Sequence, residues 1–397
     1  MLFPAGTVSL ARDLAILLLP LALAWDNAVA PRPPLAWSSW YALTTGLNCS
    51  EHNALSEEAI LETAAGLRRF GFQQAGFSTL ILDDCWQNAS RSTDGTLHAD
   101  PARFPRGLAW LGAELRRQGF ELGLYTTPGA YSCMKRPASL GHVQQDVDLW
   151  VRSFGIRYLK YCVCNTTHAL RQAAYAEMQR VLGNLSKPVV LEIDPFMERP
   201  FTTWPQLGHV VGAHPDVGDS WEAWTKAVAD LYAWGTYGAP LRGHWPLVDI
   251  LQTGGAQTAE EDKAQVSVYV VLCSPLLLGV DMRDSARLSR VAPLLTHKRL
   301  LELRCDAREP GPVPAPQRSG AALWRPLRNG SVLVALVSDA AGTRNVSWGD
   351  LALPLGPHIV EDVWSAETRL MQELSLSVPQ RGARLVVVHP TSLVFVA

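Results

Sequence analysis

The chain has 397 residues, of which 48% are hydrophobic, so it is long enough for one large core or two domains. Its formal net charge of −2 argues against nucleic acid as a partner, because phosphate backbones bind strongly basic surfaces. The 14 Trp are consistent with a buried core, and also with aromatic platforms on which sugar rings stack.

The first 24 residues are typical of a secretory signal peptide. Arg12 precedes the apolar run LAILLLPLALA, and Ala22-Leu23-Ala24 has the small residues of a cleavage site. A buried first helix is the alternative, but Pro20 would break it. The run is too short to cross a bilayer, and no later segment has about twenty uninterrupted apolar residues, so we expect no membrane span.

Glycosylation sequons and cysteines indicate an oxidising compartment. An odd number of cysteines, seven, predicts disulfide bonds and at least one free thiol. We therefore expect a protein of the secretory pathway, either secreted or held in a lysosome- or vacuole-like lumen. The sequons begin at Asn48, Asn88, Asn165, Asn184, Asn329 and Asn345.

From residue 25 to residue 308 short apolar runs alternate with helical stretches. The helical stretch SEEAILETAAGLRRF places Ile60, Ala64 and Leu67 on one face, with Ser56 able to cap its start. Eight β-then-α units predict a (β/α)8 TIM barrel with its active site at the carboxyl ends of the strands. A doubly wound open sheet is the alternative. The predicted strands are PLAWSSW, STLILDD, ELGLYTT, IRYLKYC, PVVLEID, GHVVGAH, HWPLVDIL and PLLLGV.

Residues 309–397 have a different pattern. The segment EPGPVPAPQRSG is rich in Pro and Gly and is typical of a linker. The runs SVLVALVSD, HIVEDVWS, LSLSVP and ARLVVVHP follow it, separated by turns and without a helical period. This pattern predicts a C-terminal antiparallel β-sandwich domain.

Carboxylates gather where the predicted barrel strands end. Asp83 and Asp84 end the second strand, Asp216 follows the sixth, and Asp249 ends the seventh. Carboxylates in such positions can act as acid, base or nucleophile, or can bind hydroxyl groups. The alternative is that some of them cap the following helices. Because no His, Cys and Asp cluster has the spacing of metal ligands, we predict neither a metal nor another cofactor.

Several stretches resemble glycoside hydrolase family 27, the α-galactosidases and α-N-acetylgalactosaminidases. The resemblance runs from residue 25 to about residue 306, and more loosely through the C-terminal domain. It implies a (β/α)8 barrel with a β-domain, and retaining cleavage of terminal α-linked galactose; a homodimer is left open. The most specific stretches are LILDDCWQ, STDGTLHADPARFPRGL, LGLYTTPGAYSC, YLKYCVC, DVGDSW and SPLLLGVDMRD.

Site residues follow from this resemblance position by position. Asp216 would be the general acid/base, Trp40 would face the sugar, and Asp249 would hold the hydroxyl next to the anomeric carbon. The other implied sugar-binding residues are Asp83, Asp84, Tyr125 and Lys160. The implied disulfides are Cys49–Cys85 and Cys133–Cys164. The cysteines predicted to be free are Cys162, Cys273 and Cys305.

The chain departs from the family pattern close to the reacting centre. Cys162 stands where the family has its nucleophilic Asp, and Gly212 stands where the family has an Arg. Ile193 replaces a polar residue that contacts the sugar. Ile193 and Phe196 are bulky where relatives that accept an N-acetyl group have small side chains, so we predict a preference for galactose over N-acetylgalactosamine.

Three interpretations of Cys162 are open from the sequence. A neutral thiol would leave a catalytically impaired, galactoside-binding homologue. Cys162 could instead be a nucleophile, because Lys160 lies on the same face of the strand and lowers a thiol pKa, although the neighbouring carboxylates raise it. In the third interpretation Glu192 or Asp194, at the end of the fifth strand, supplies the missing carboxylate.

Overall fold

The computed structural model describes residues 29–44, 49, 54–195, 204–212, 214–233, 244–306, 317–319 and 322–391. The predicted signal peptide, the sequon at Asn48 and most of the predicted linker lie outside these residues, as does Phe196. Within the described ranges, every helix is too short or too polar to span a bilayer.

Eight parallel strands form the N-terminal sheet, in the order β7-β6-β5-β4-β3-β2-β1-β8. The ring closes beyond β7, where Leu251 pairs in parallel with Leu278 and its N–H donates to the carbonyl of Leu277 at 2.7 Å. The predicted (β/α)8 barrel is therefore confirmed. Its strands are β1 (Leu35–Ser38), β2 (Thr79–Leu82), β3 (Glu121–Thr126), β4 (Tyr158–Tyr161), β5 (Val190–Ile193), β6 (Val210–Gly212), β7 (Trp245–Leu247) and β8 (Leu276–Leu278).

Helices follow the strands and cover the outside of the barrel. In α2 the Ser56 hydroxyl accepts a hydrogen bond from the Ala59 N–H at 3.2 Å, as the capping pattern predicts. Ile60, Ala64 and Leu67 are fully buried on its inner face. The helices are α1 (Ser39–Leu43), α2 (Glu57–Arg69), α3 (Phe72–Ala75), α4 (Gly107–Arg117), α5 (Val143–Leu149), α6 (His168–Gly183), α7 (Trp221–Ala233), α8 (Ala259–Val271), α9 (Ser285–Leu295) and α10 (Lys298–Glu302).

The barrel interior changes from apolar to polar along the strands. Tyr158 and Val190 belong to an interior cluster with Trp245 near the amino ends of the strands. Side chains two residues apart on a strand share a face, so Lys160 and Glu192 lie one layer further toward the carboxyl ends. The polar groups of the barrel therefore collect at the end where active sites of this fold are built.

The C-terminal domain contains antiparallel sheets, as predicted. Six strands pair in the order β14-β13-β16-β11-β10-β9, and β12 pairs with β15. The domain boundary after residue 308 stays a prediction, because residues 307–316 lie outside the described part. The strands are β9 (Gln317–Ser319), β10 (Ala322–Pro326), β11 (Val332–Ser338), β12 (Gly342–Val346), β13 (His358–Asp362), β14 (Thr368–Met371), β15 (Leu374–Val378) and β16 (Gly382–Pro390).

Helix α8 lies between the barrel and the C-terminal domain. It is buried around almost its whole circumference, which explains why its sequence lacks a polar face. Trp364 of the C-terminal domain donates its indole N–H to the Ser267 hydroxyl of α8 at 3.2 Å. Arg299 of α10 makes a bidentate ion pair with Glu361 at 2.6 and 2.8 Å. The two domains therefore share an extensive interface.

The cysteine predictions are partly wrong. Cys49–Cys85 and Cys133–Cys164 are bonded as implied, and Cys162 is a buried free thiol. However, Cys273 and Cys305, predicted to be free, form a third disulfide. The chain after α10 returns to the segment that precedes β8, which brings the two Cα atoms to 5.5 Å, within disulfide range. The apolar surroundings of Cys273 gave no indication of this long-range contact.

The third disulfide should contribute measurably to stability. Replacing Cys273 and Cys305 together by Ala should lower the free energy of unfolding by about 3 kcal/mol, because the bond closes a 32-residue separation in the unfolded chain. Urea unfolding of both proteins under oxidising conditions measures this difference. A loss below about 1 kcal/mol would show that the bond does not restrain the unfolded state as this account requires.

Candidate active site

Four of the predicted site residues meet at the carboxyl end of the barrel. The Lys160 ammonium donates to the Asp83 carboxylate at 2.9 Å, and both side chains are buried. The same ammonium lies 5.8 Å from the ring centroid of Trp40 and 5.6 Å from that of Tyr125. Tyr125 and Lys160 lie in β3 and β4, whereas Trp40 is in α1 just after β1 and Asp83 directly follows β2, so the four side chains form one side of the candidate site.

Asp216 and Asp249 lie on the opposite side, after β6 and β7. The Trp40 indole N–H donates to Asp216 at 3.2 Å, and Asp216 is exposed to solvent. Asp249 is partly buried and accepts hydrogen bonds from the Tyr41 hydroxyl at 2.9 Å and from the Val217 N–H at 2.6 Å. Burial, and then the charge of Asp216, raise the pKa of Asp249 to about 7.

Asp84 connects the pocket to two disulfide-bonded loops. It accepts the N–H groups of Cys85 and Met134, each at 2.8 Å, and so holds the loop of Cys49–Cys85 against the residue that follows Cys133. Burial raises its pKa to about 6, although the Met134 hydrogen bond opposes the shift. Asp84 therefore has a clear structural role in addition to the predicted sugar contact.

Tyr125 faces the Lys160 ammonium with its ring and not with its hydroxyl. Its hydroxyl donates to the Cys133 sulfur at 2.8 Å, and burial raises its pKa well above the ordinary value. The predicted lining role thus falls to the aromatic face, which lies near the Lys160 ammonium.

Cys162 is a buried thiol in an environment that favours its protonated form. Its side chain is 4% exposed, and its sulfur lies within 4.8 Å of the sulfurs of Cys133 and Cys164. Burial raises the pKa of Cys162 well above its ordinary value, Asp194 raises it further, and Lys160 lowers it by less. The sequence left the direction of the Cys162 pKa shift open. The structure shows an upward shift, which disfavours the thiolate.

The polar residues of β5 face the barrel interior, and Ile193 does not. Ile193 packs into the outer core, against Gly208, because alternate residues of a strand point to opposite sides. The expectation that Ile193 stands at the sugar contact is therefore wrong, and so is its part in excluding an N-acetyl group. Glu192 is buried and accepts the Tyr158 hydroxyl at 2.5 Å, and the buried Asp194 is the next residue on the same face.

Comparison with known proteins identifies the family. Residues 32–306 match the family described as alpha galactosidase A, which is more than half of the chain. The chain belongs to that family. Residues 319–388 match the alpha galactosidase C-terminal beta sandwich domain. The protein is thus an α-galactosidase-like glycoside hydrolase by family.

Individual relatives agree with this assignment. An alpha-galactosidase A of Cellvibrio japonicus is 30% identical over 70% of this chain and 68% of its own length. An alpha-N-acetylgalactosaminidase of Gallus gallus is 27% identical over 65% of this chain and 67% of its own. The crystal structure of alpha-galactosidase I from Mortierella vinacea superposes with a TM-score of 0.78 and covers 92% of this chain and 99% of its own, at 24% identity.

Two site residues of this family member could not be found from its sequence pattern. Tyr41 donates its hydroxyl to Asp249, and Ser39 accepts the Asp83 N–H at 2.9 Å. Both lie in the short helix α1 beside Trp40, at the end of β1. Their position just after β1 is the only sequence signal for a role in the site, and it applies equally to every residue of α1.

Two clusters of cysteine and carboxylate atoms among the described residues are close enough to hold a metal ion. In each cluster two of the three residues are joined in a disulfide, and their sulfurs are therefore not thiolates, which are the form that binds metal. The prediction of metal-free chemistry stays a prediction. The clusters are Cys133, Cys162, Cys164 and Cys49, Asp84, Cys85.

The buried carboxyl groups of this family member predict how its stability changes with pH. Burial raises the pKa of Asp84 to about 6 and of Asp249 to about 7, and it also raises those of Glu192 and Asp194. The folded protein then binds more protons than the unfolded chain between about pH 4 and pH 7, so stability falls as pH rises through this range. Two histidines oppose the trend, because burial lowers the pKa of His209 to about 3 and also lowers that of the less buried His297.

Urea unfolding should therefore give a larger free energy of unfolding at about pH 5 than at about pH 7, by at least about 1 kcal/mol. Stability that rises over this interval would contradict the burial of these carboxyl groups.

Proposed function

We propose that this chain hydrolyses terminal α-linked galactose from oligosaccharides or glycoconjugates, with Asp216 as the general acid/base. The observation that carries the proposal is the hydrogen bond from the Trp40 indole to Asp216. It places an exposed carboxylate at the edge of an aromatic platform whose ring also lies near Lys160 and its partner Asp83. A sugar stacked on that platform would meet a proton donor and hydroxyl-binding groups together.

Each residue would perform one step of the reaction. Asp216 would protonate the glycosidic oxygen as the bond to the anomeric carbon breaks, and would later take a proton from the attacking water. Its exposure allows proton exchange with solvent. Asp83 and Lys160 would bind outer hydroxyls, and Asp249 would hold the hydroxyl next to the anomeric carbon. Retaining chemistry also needs a second carboxylate about 5–5.5 Å away across the sugar.

A second candidate function is galactoside binding without hydrolysis. The buried, protonated thiol of Cys162 favours it, because a neutral thiol cannot stabilise the positive charge that develops at the anomeric carbon. The other residues of the pocket would then still recognise the sugar.

Two measurements on the purified protein separate these functions. Hydrolysis of an aryl α-galactoside together with galactose binding in calorimetry supports the enzyme. Binding without hydrolysis supports the impaired homologue, and the absence of both would reject a galactose site in this pocket.

Compartment and assembly are further parts of the proposal. Three disulfides support folding in the secretory pathway, since cytosolic thiols are kept reduced. The protein is then secreted or retained in a lysosome- or vacuole-like lumen, and localisation of a tagged chain in cells tests this. Sedimentation of the purified protein tests the homodimer that the family resemblance leaves open.

A further inference from the structure

Asp194 has an unsatisfied oxygen at the carboxyl end of the barrel. Its side chain is 3% exposed, and its Oδ2 accepts no hydrogen bond from the described residues. A buried carboxylate oxygen without a donor destabilises the folded protein, so its retention calls for a functional reason.

Gly212 provides the space that Asp194 occupies. A Cβ atom on Gly212 would lie 2.1 Å from Asp194 Oδ1 and 3.1 Å from its Cγ, so any larger residue would displace the carboxylate. The family resemblance expects an Arg at position 212. An Arg side chain at position 212 and the carboxylate of Asp194 in its present place would overlap. The glycine at 212 is therefore what allows Asp194 to lie there.

Asp194 also lies beside the position from which the family carboxylate is missing. Strands β4 and β5 pair Tyr161 with Ile193, so Cys162 and Asp194 are the next residues along the two neighbouring strands. Neighbouring strands are about 4.8 Å apart, and the Asp194 carboxylate packs over Gly212 of β6, the strand on the other side of β5 from Cys162. Glu192 lies one layer deeper; Tyr158 donates to its Oε2, and its Oε1 also accepts no hydrogen bond from the described residues.

We propose that Asp194 is the nucleophile of this enzyme, replacing the carboxylate that is absent at Cys162. This inference rests on the proposed hydrolysis of α-galactosides. An oxygen of Asp194 bonds to the anomeric carbon while the bond between that carbon and the glycosidic oxygen breaks. The glycosidic oxygen takes a proton from Asp216 and leaves. Water then attacks the anomeric carbon, Asp216 takes its proton, and the Asp194 ester is released as the carboxylate.

The reaction requires ionised Asp194, which the burial of its side chain disfavours. Burial raises its pKa well above the ordinary value, Glu192 adds to the shift, and Lys160 opposes it. We therefore expect kcat/KM to rise with pH in a range above that of an ordinary aspartate, as Asp194 loses its proton. The charged or titratable groups that interact with it or with Cys162 are Glu192, Lys160, Cys162, Asp83, Asp216, Tyr125, Tyr158 and Tyr175.

Trapping the covalent intermediate tests the assignment directly. The full chain is incubated with 5-fluoro-α-galactosyl fluoride, whose good leaving group permits the first step while the ring fluorine slows the second. Peptide mapping should find the sugar on Asp194, and in Cys162→Ser it should again be on Asp194. A sugar found on Cys162 or Glu192 overturns the inference but leaves the proposed hydrolysis intact. Failure to hydrolyse any aryl α-galactoside overturns the proposed hydrolysis itself.

A variant pair tests the same point without trapping. Asp194→Ala should lower hydrolysis of an aryl α-galactoside at least about 1,000-fold, and added azide should restore turnover with β-galactosyl azide as the product. Galactose binding by this variant establishes that it is folded. Asp148→Asn, on the exposed face of α5 and paired with Arg152, is the matched carboxylate control and should keep wild-type activity. Loss without azide rescue in a folded, galactose-binding variant contradicts the nucleophile role.

Gly212→Ala completes the comparison. It should lower activity by displacing Asp194, whereas adding it to Asp194→Ala should cause no further loss. Equal losses in both backgrounds would show that Gly212 acts on something other than Asp194.

Discussion

Replacing Asp216 by Asn is expected to lower kcat/KM for alkyl α-galactosides by about 100-fold to 10,000-fold, the usual contribution of a positioned general acid. The amide has nearly the same shape and can still face the Trp40 indole, so galactose binding should change little. For an aryl α-galactoside whose leaving group needs no proton, the loss in the first step should be much smaller. Initial rates on both substrates measure the difference.

The dependence on the leaving group is the decisive part of this prediction. Asp148→Asn is again the control, because it removes a carboxylate from the surface helix α5 without touching the pocket. A loss of the same size on both substrates would contradict the acid role of Asp216 and would indicate a purely structural contribution.

Replacing Lys160 by Met should have the largest effect on stability. The Lys160 ammonium donates to buried Asp83, and its charge also interacts with Glu192 and Asp194. Removing one partner of a buried ion pair leaves an uncompensated charge and costs about 3–5 kcal/mol. Urea unfolding should show a loss of this size, and the variant should no longer bind galactose.

A double variant separates the charge effect from the packing effect. Lys160→Met combined with Asp83→Asn removes both partners, so it should be more stable than Lys160→Met alone. If the double variant instead loses the sum of the stability losses of Lys160→Met and Asp83→Asn, the ion pair between the two residues is not the source of the Lys160→Met loss.

The architecture could be predicted because its signals are local. Each barrel strand is a short apolar run, and Ser56 caps α2 within its own segment. The positions of Asp83 and Asp216 at strand ends likewise follow from the order of residues along the chain. Parallel strands of a barrel bring all such ends to one side, and this is why a single rule places most of the site.

The errors concern contacts between distant segments and the facing of single residues. The bond between Cys273 and Cys305 depends on where the chain returns after α10, which no local pattern encodes. Motif matching predicts Ile193 at the sugar, although its neighbours Glu192 and Asp194 occupy the inward face of the same strand. A shift of one residue along a strand reverses the facing of every side chain, so motif matching alone cannot decide it.

The inward facing of Glu192 and Asp194 also changes the interpretation of Cys162. From the sequence, the pocket lacks a carboxylate on β4, and Glu192 and Asp194 are both candidates to replace it. The structure shows an inward-facing Asp194 on the neighbouring strand, over a glycine that leaves room for it. A protonated thiol at Cys162 is then compatible with catalysis.

The central claim is that this pocket hydrolyses α-galactosides with retention of configuration. Proton NMR of an aryl α-galactoside during the first turnovers tests it most directly, since the anomer released first is seen before mutarotation. The account predicts that α-galactose appears first, because one carboxylate attacks the anomeric carbon and water then displaces it from the opposite face. Release of β-galactose first, or no release of galactose, would contradict it.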